Sequence, residues 1–402
     1  MEEENIIMAS ESSCTSTCES VDEFDESCGH LKFRKRKTKD DYHGRDYKIA
    51  RGSQSYSIGE CVSNWKIERL DKLGLSYKNH TSNFKDFFKV VEKFGFGPLS
   101  EEKKSILESL TELTKKAMSK TSFNMTRKEN TEYCKGELGS CIEVTEEIKP
   151  LWDSLVSKGE LTWYHTQILV HLLNFYEQLT LFLRARCVTY THPPVEANYR
   201  ALLASFVKIF LLRAKQGEEL RSTVNINGVP SSTAPALRLV NVGGLQDIER
   251  NLCLCVISVV KRSVRRSGSP ERFDIHSALS DDILAQHAGE LLLEYQNTQY
   301  ASKDCDSKVM LGIICLETTL VFTWLELGDI HYADIKEGNL FQKDSTNRDE
   351  PEIQDKKESG EISYTRPYDY LLREDREQIL EFLYELAFQS EEKLSARKKQ
   401  KS

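Results

Sequence analysis

Apolar residues recur at helical spacing over most of the chain between residues 58 and 394. In 83–94 they follow the i, i+3, i+4, i+7 order of a helix that buries one face, with Ser82 available as the N-cap and Gly95 as a left-handed stop. A second apolar face follows Ser100. Together the two segments predict an αα-hairpin.

The same periodicity predicts further helices, which cover 145–155, 161–188, 195–216, 245–266, 280–297, 306–337 and 366–392. The helix at 161–188 is apolar nearly all round, which predicts a place at the centre of the fold. Residues 221–244 interrupt the pattern as an irregular loop. Asn227 and Gly228 within it fit a type I′ turn, but Pro230 follows too closely for a clear hairpin.

No fixed repeat emerges from these segments, so the pattern predicts an all-α fold, either an irregular helical bundle or a HEAT-like stack of helix pairs. The predicted organisation has five parts. They are a charged disordered arm at 1–57, a helical domain at 58–342, an acidic linker or loop at 343–363, a C-terminal helix at 364–394 packed on the main domain, and a basic tail at 395–402.

Composition narrows the class of protein. The 402 residues are 39% hydrophobic and 29% charged, with a mean hydropathy of −0.50 and a formal net charge of −8. That charge provides no overall positive field for nucleic acid. The longest apolar stretch, 168–183, is interrupted by polar residues and predicts no membrane span. Eleven cysteines without a framework spacing favour a reducing compartment.

Charge is unevenly distributed near the N-terminus. Residues 1–30 carry nine acidic side chains and no Lys or Arg, whereas 32–51 carry nine basic and three acidic ones. Segments of this kind cannot bury enough apolar surface to offset the loss of chain entropy, so the arm is predicted to be disordered.

A short stretch at 330–341 resembles the catalytic loop of protein kinases. Asp334, Lys336 and Asn339 stand at the D-x-K-x-x-N spacing, in which the acid accepts a proton from the substrate and the Asn holds magnesium. The resemblance ends after about twelve residues. The favoured interpretation is the polar end of the helix at 306–337, with Gly338 following its last turn.

Two groups of residues have the chemistry of metal ligands. One is the helix face with His331, Asp334 and Glu337, which we interpret as solvated. The other consists of Cys14, Cys18, Cys28 and His30. Its spacing matches no structural zinc module, and whether it binds zinc stays open. No catalytic, cofactor or metal residue is assigned.

Other polar candidates are interpreted as structural. His165 and His171 on the helix at 161–188 are read as core histidines, and Cys253 and Cys255 as small buried side chains on a helix.

The clearest functional signal is a basic peptide in the arm. Its cationic residues are Lys32, Arg34, Lys35, Arg36, Lys37 and Lys39. An acidic groove of a nuclear import receptor could read such an extended run, which predicts nuclear localisation, with a cytoplasmic pool left open.

Two smaller signals indicate regulated interaction. Ile6, Ile7 and Met8, followed by Ser and acidic residues, fit strand addition to a small modifier of the SUMO type. Ser267 and Ser269 follow a basic helix turn at 261–266, where phosphorylation would place negative charge beside four cations.

The sequence therefore predicts a non-enzymatic α-helical scaffold, a subunit of a nuclear complex that binds protein partners through helix faces. An alternative is an unconventional kinase-like or nucleotide-binding enzyme centred on Asp334, Lys336 and Asn339. A second alternative is a chromatin or nucleic-acid-associated factor that uses the basic segments 32–51 and 261–266.

Overall fold

The structure is a computed structural model, and it describes most of the chain after the N-terminal arm. The described residues are 60–96, 99–123, 131–188, 194–216, 221–241, 253–260, 273–298, 300–301, 307–341 and 359–401. All of them belong to one compact unit, 56–402.

The fold is mixed α/β, so the prediction of an all-α bundle or HEAT-like stack is wrong. Twelve strands are present among the described residues. They are β1 (Glu60–Cys61), β2 (Leu75–Tyr77), β3 (Leu212–Lys215), β4 (Ser222–Ile226), β5 (Val229–Thr233), β6 (Leu237–Asn241), β7 (Cys255–Val260), β8 (Tyr300–Ala301), β9 (Ser307–Leu316), β10 (Thr319–Gly328), β11 (Gly360–Tyr364) and β12 (Tyr368–Asp369).

Ten α-helices accompany these strands in the same part of the chain. They are α1 (Ile67–Lys72), α2 (Phe84–Val91), α3 (Glu101–Met118), α4 (Thr131–Ser157), α5 (Trp163–Val188), α6 (Glu196–Lys208), α7 (Ile275–Ala278), α8 (Asp281–Glu294), α9 (Asp329–Glu337) and α10 (Arg373–Lys401).

A large mixed sheet forms the centre of the molecule. Its main path runs β2-β11-β10-β9-β7-β6-β3, with β12 paired to β10 and β8 to β9. The central pair β9 and β10 is antiparallel over ten residues each, from Ser307↔Gly328 to Leu316↔Thr319. On its other side β9 pairs in parallel with β7. A separate sheet has the order β1-β5-β4.

The β9–β10 hairpin occupies most of the stretch predicted as a helix over 306–337. Both strands are buried on both faces, so their apolar runs are nearly continuous and carry no period of two. The turn contains no Gly, Pro or Asn, and Glu317 itself adopts the left-handed conformation (φ 59°). The sequence therefore lacks the turn-forming residues that usually indicate a hairpin. Only the last nine residues of the segment are helical, as α9.

Other predicted elements also change. The described part of 245–266 contains strand β7 rather than a helix. The helix predicted at 145–155 is part of the longer α4, which continues through Pro150. Asn227 and Gly228 both have positive φ, and they join β4 and β5 into a hairpin in which Pro230 faces Asn225.

For the first predicted helix pair, the N-cap of the second helix is confirmed, whereas the N-cap and the end of the first are wrong. The side chain of Ser100 accepts a hydrogen bond from the backbone of Lys103 and caps α3. The N-cap of α2 is Asn83 rather than Ser82, because Asn83 and Asp86 cap each other's backbone amides. After α2 the chain continues through a π-helical turn, Glu92–Phe96, instead of ending at Gly95.

Two hydrophobic cores lie on opposite faces of the large sheet. On β10, Leu320, Phe322 and Trp324 belong to the core shared with α2, α3, α5, α6 and α10. Val321 and Leu325 belong to the core shared with α1 and α8. This alternation follows the two-residue period of strand side chains.

The C-terminal helix is held to the first core by a buried arginine. Arg376 on α10 donates to the carbonyl oxygens of Met118 (2.8 Å), the last residue of α3, and of Thr121, which follows the helix. It also donates to the carbonyl of Leu371 at 3.1 Å. The Thr121 hydroxyl contacts that of Tyr176 on α5 at 2.8 Å. One guanidinium thus satisfies the carbonyls of a helix end that would otherwise be buried without donors.

Helix α8 lies unusually close to its neighbours. A Cβ on Gly312 of β9 would stand 2.5 Å from Thr323 Oγ1 and 2.7 Å from Leu291 Cδ2. A Cβ on Gly289 of α8 would stand 2.5 Å from Val62 Cγ1. The two glycines therefore allow α8 to fit between the sheet and the segment that contains Val62.

We predict that Gly312→Ala lowers the free energy of unfolding by about 1–3 kcal/mol, because the added methyl overlaps atoms that are held on a strand and on α8. Gly139→Ala in α4 is the matched control. A Cβ there meets nothing within 4 Å, so it should raise stability by about 0.5–1 kcal/mol through helix propensity. Urea denaturation measures both, and equal effects would contradict the close approach of α8.

Candidate functional site

A chain of buried polar side chains joins α8 to the large sheet. The hydroxyl of Ser258 on β7 lies 2.6 Å from Nδ1 of His287, and Nε2 of that ring lies 2.7 Å from Oγ1 of Thr323 on β10. The Ser258 hydroxyl also donates to Glu290, and Gln286 donates to the same carboxylate at 2.9 Å. Within this group, the Ser258, His287, Thr323 and Glu290 side-chain atoms all have hydrogen-bond partners.

Burial controls the protonation of the two ionisable members. It lowers the pKa of His287 to about 3, so the imidazole is neutral at pH 7. It raises the pKa of Glu290 to about 7, although the hydrogen bonds from Ser258 and Gln286 oppose that shift. With Glu290 ionised, the donors run in one direction, from Thr323 to His287 to Ser258 to Glu290.

A serine, a histidine and a glutamate in contact suggest a nucleophilic triad, but the order of contacts is different. In a triad the acid holds the histidine and the histidine faces the serine. Here Glu290 and His287 both contact the Ser258 hydroxyl, while the far nitrogen of His287 faces Thr323. His287 and Thr323 are fully buried. These hydrogen bonds satisfy the polar side chains of α8 where the helix packs on the sheet. The Ser258 hydroxyl is buried, so it is not exposed to a substrate at the surface.

A second buried group occupies the end of α8. Glu294 is paired with Arg238 of β6 and accepts a hydrogen bond from Ser222 at 2.6 Å and one from Asn297 at 3.0 Å. Arg238 and Glu294 are both almost completely buried. Because each charge is compensated by the other and by hydrogen bonds, this pair also has a structural explanation.

The kinase-like residues lie together at the end of α9. The Asn339 amide donates to Asp334 at 3.0 Å and to Glu337 at 3.1 Å, and Lys336 Nζ stands 5.7 Å from the centroid of the Tyr332 ring. Gly338 has φ 80° and follows the last helical residue.

The β4–β5 turn packs against this helix end. A Cβ at Gly338 would overlap the Asn227 side chain, and the Asn227 amide donates to the Lys336 carbonyl at 3.0 Å. A hairpin therefore lies against the helix end on which a nucleotide site would have to be built.

The remaining sequence candidates are distributed as follows. His331 donates to the Leu73 carbonyl at 2.9 Å. His165 contacts Ser109 on α3 at 3.1 Å and the Thr162 hydroxyl at 2.8 Å. Cys253 and Cys255 are buried as predicted, but Cys255 begins strand β7 and Cys253 forms an isolated bridge beside it, so neither lies on a helix.

Several predicted sites lie outside the described residues. They are the basic run from Lys32 to Lys39, the cluster of Ile6, Ile7 and Met8, the sites Ser267 and Ser269, the segments 32–51 and 261–266, and the group of Cys14, Cys18, Cys28 and His30.

Within the described residues, no three His, Cys, Asp or Glu side chains are grouped so as to hold a metal ion. In the same part of the chain, no helix has the length and apolar character needed to cross a bilayer.

The large apolar side chains that are exposed cluster on one helical layer. Nine are found among the described residues, of which six lie on α4 and α5 and a seventh precedes α6. The six are Ile142 and Val156 on α4, and Trp163, Val170, Leu173 and Leu181 on α5; we call them the outer apolar face. Soluble monomers rarely concentrate exposed apolar side chains in this way outside interaction sites.

The outer side of α5 carries exposed apolar side chains that alternate with exposed polar ones such as Asn174 and Gln178, whereas its inner side is mostly apolar. At 100° per residue, Trp163, Val170 and Leu181 project within about 20° of one another, along roughly 27 Å of helix. Trp163 is 59% exposed and Leu181 52%. The opposite side, which includes Leu172 and Leu179, is fully buried in the first core. The prediction that this helix lies at the centre of the fold is therefore wrong for half of its surface.

Contacts at both ends of α5 fix the orientation of this face. The Thr162 hydroxyl accepts a hydrogen bond from the His165 amide and caps the helix, and His165 in turn contacts α3. Near the other end, Thr180 is hydrogen bonded to the Cys141 thiol of α4, whose pKa burial raises to about 12. The latter contact places Ile142 and Leu181 at the same level of the helix pair.

Acidic side chains surround the outer apolar face. Residues 136–185 contain seven Asp or Glu and three Lys or Arg, a formal charge of −4. On α4, Glu143, Glu146 and Asp153 are exposed, as is Glu177 on α5. Glu137 is buried and Glu147 is paired with Lys120, so among the described side chains of 136–185 five exposed carboxylates stand against three exposed cations, Lys149, Lys158 and Arg184. The border of the outer apolar face is therefore moderately negative.

No protein-family model and no curated protein matches this chain. Functional conclusions therefore rest on the arrangement of its own side chains.

Sequence reasoning missed both the polar chain and the outer apolar face. The polar chain joins β7, α8 and β10, and its members are far apart in sequence. A signal for the outer face existed, because a helix that is apolar all round is explained equally well by burial or by a second interaction surface. The acidic residues Glu143, Glu146 and Asp153 on the neighbouring helix α4 favour a second interaction surface over burial.

We predict that Glu290→Gln changes how stability depends on pH. Between about pH 4.5 and 7 the unfolded chain has lost the Glu290 proton while the folded protein retains it, so the native protein loses this contribution as pH rises through about 7. The free energy of unfolding of the variant should therefore rise relative to the native protein by up to ~1.4 kcal/mol per pH unit in that range.

Urea denaturation at a series of pH values measures this difference. His287 acts in the opposite direction, because its lowered pKa makes stability rise between about pH 3 and 6.5; in the native protein the two trends offset each other. Glu68→Gln, at an exposed position of α1, is the control. Parallel profiles for Glu290→Gln and the native protein would contradict the proposed burial of this carboxyl.

Proposed function

We propose that the protein is a non-enzymatic binding subunit of a protein complex, and that it holds a partner protein on the outer apolar face of α4 and α5. The observation that carries this proposal is the concentration of exposed apolar side chains on these two helices. Of the nine such side chains in the described part of the chain, six lie on α4 and α5 and a seventh, Val195, precedes α6, whereas scattered positions would need no explanation.

The distribution of polar groups supports the same function. The Ser258, His287 and Glu290 group and the Arg238 and Glu294 pair are buried, and they connect α8 to strands. These two groups of buried side chains hold α8 to the strands, while the outer side of α4 and α5 presents exposed apolar side chains to another molecule. Binding through a helix face is the activity that this division favours.

The proposed compartment is the nucleus. Its support is the sequence alone, namely the cationic run Lys32, Arg34, Lys35, Arg36, Lys37 and Lys39. An import receptor would bind this run in the arm, and the folded unit would bind the partner.

We predict that a variant with Trp163→Glu and Leu181→Glu loses proteins that co-purify with the native chain. Two carboxylates on the apolar strip would have to be desolvated in any complex, which should reduce recovery of a direct partner at least tenfold. Quantitative affinity purification from cells that express the tagged full chain measures this loss.

Ile330→Glu is the matched control. Ile330 is 67% exposed on α9, so the same chemical change is made outside the outer apolar face. Circular dichroism must show that all variants are folded. Co-purifying proteins that survive the change on α5, or that are lost equally with Ile330→Glu, would contradict the proposed function.

We also predict that replacing Lys35, Arg36 and Lys37 by Ala abolishes nuclear accumulation of the full chain, because it removes the centre of the cationic run. Fluorescence microscopy of the tagged protein measures the nuclear fraction. Lys398→Ala together with Lys399→Ala in the basic tail is the control. Unchanged nuclear accumulation of the variant at Lys35, Arg36 and Lys37 would show that this run is not the nuclear localisation signal.

A further inference from the structure

We infer that the partner contributes a basic amphipathic helix, which lies along the groove between α4 and α5 and inserts its apolar side chains among those of the outer apolar face. This inference rests on the proposed function and deepens it, because it names the chemistry of the partner. Three observations carry it: the kind of surface, the charge of its border and the spacing of its apolar positions.

The surface is made of helices, which determines how a partner can bind. The backbone groups of α4 and α5 are hydrogen bonded within each helix, so these helices present no strand edge to which a peptide could add. Side chains must supply the contacts. A third helix can pack its ridges into the groove between two antiparallel helices at the usual separation of about 8–10 Å.

The charge around the outer apolar face determines which charge a partner helix should carry. The region 136–185 carries a formal charge of −4, and Glu146 and Asp153 project from the same side of α4 as Ile142 and Val156. Among the described side chains, Lys149 on that side of α4 and Arg184 near Leu181 on α5 are exposed cations, so carboxylates outnumber cations without excluding them. Lys and Arg on the flanks of an incoming helix would compensate these carboxylates, whereas an acidic helix would meet like charge.

The same charge argues against a second copy of this chain as the occupant. Two outer apolar faces that met about a twofold axis would place the acidic borders opposite one another. Each carboxylate would lose water without gaining a cation, which is unfavourable in a closed interface. A partner of opposite charge removes this conflict.

The apolar positions define a groove with two ends and a centre. Val156, in the last turn of α4, and Trp163, the first residue of α5, flank the turn between the helices, in which the Gly159 amide donates to the Val156 carbonyl at 3.1 Å. Ile142 and Leu181 form the other end, beside the Cys141–Thr180 hydrogen bond. The centre is formed by Val170 and Leu173.

The groove sets the length of the helix that it can hold. It is about 27 Å long, which corresponds to roughly 18 helical residues at 1.5 Å each. A helix that fits it has apolar side chains at i, i+3 or i+4, and i+7 over five turns.

Two synthetic peptides test this inference. Both have 21 residues and the same leucines at i, i+3, i+7 spacing; one carries Lys and Arg at the flanking positions and the other carries Glu. Each is labelled with fluorescein and titrated with the purified full chain, and anisotropy gives the Kd. We expect the basic peptide to bind at least tenfold more tightly than the acidic one, with an affinity that falls as NaCl is raised.

Variants locate the binding site. The change of Trp163 and Leu181 to Glu should weaken the basic peptide at least tenfold, while Ile330→Glu should leave its Kd unchanged. Neutralising the border by Glu143→Gln, Glu146→Gln and Asp153→Asn should weaken it severalfold at low salt and reduce the salt dependence. These three positions are exposed, so the fold should be retained.

Three outcomes would overturn the inference: equal affinity for the two peptides, binding that survives the change of Trp163 and Leu181, or a dimer by light scattering that is lost in that variant. The result can be separated from that for the proposed function. If co-purifying proteins depend on Trp163 and Leu181 but the chain shows no preference for the basic peptide, the function stands and the partner chemistry is wrong. If neither the co-purifying proteins nor the basic peptide depends on Trp163 and Leu181, both the proposed function and the partner chemistry are wrong.

Discussion

The position of α8 between the large sheet and the segment around Val62 is the constraint on which the rest of the structure depends. Two glycines permit it: Gly312 on the sheet side and Gly289 on the opposite side of the helix. At this distance α8 packs directly on β9, and His287 contacts side chains of β7 and β10. Every polar side chain on its inner face must therefore find a partner in the protein.

The polar residues of α8 meet that requirement in two groups. His287 and Glu290 share the hydroxyl of Ser258, and Glu294 is paired with Arg238. Removing one member of such a buried pair leaves the other without compensation, at a cost of about 3–5 kcal/mol. These groups therefore specify the register of α8 on the sheet. It also follows that residues with catalytic chemistry are not available to a substrate in this part of the molecule.

The outer helical layer has the opposite character. Helix α5 contributes one apolar side to the core and presents exposed apolar side chains, from Trp163 to Leu181, on the other. Nothing in the folding of the sheet requires apolar side chains on the second side, since α5 is already held by its cap at Thr162 and by its packing on α3, α4 and α6. The proposed binding of a partner would explain them, and the acidic border would keep the surface from pairing with itself.

The sequence predicts those parts of the fold whose signals are local. The N-cap at Ser100 and the helix at 161–188 are found because caps and amphipathic periodicity act within a few residues. The β9–β10 hairpin is missed because strands that are buried on both faces have no alternation, and because Glu317 forms the turn without a turn residue. Enrichment in Val, Ile and Thr was the available signal for these strands.

The prediction of functional sites from the sequence is limited in the same way, because only local signals are visible. The kinase-like spacing at Asp334 is local and visible in the sequence, whereas the contacts of Ser258 with α8 depend on tertiary pairing. The separation between a buried and an exposed side of α5 depends on which elements pack against it.

We propose that α8 is a fixed structural element and that the outer apolar face is the binding surface. Hydrogen exchange of the full chain, measured by mass spectrometry with and without a saturating basic helical peptide, tests it most directly. We expect slower exchange in peptides from 139–185 and unchanged, slow exchange across α8. Protection that appeared at α8 or α9 while 139–185 stayed the same would contradict it.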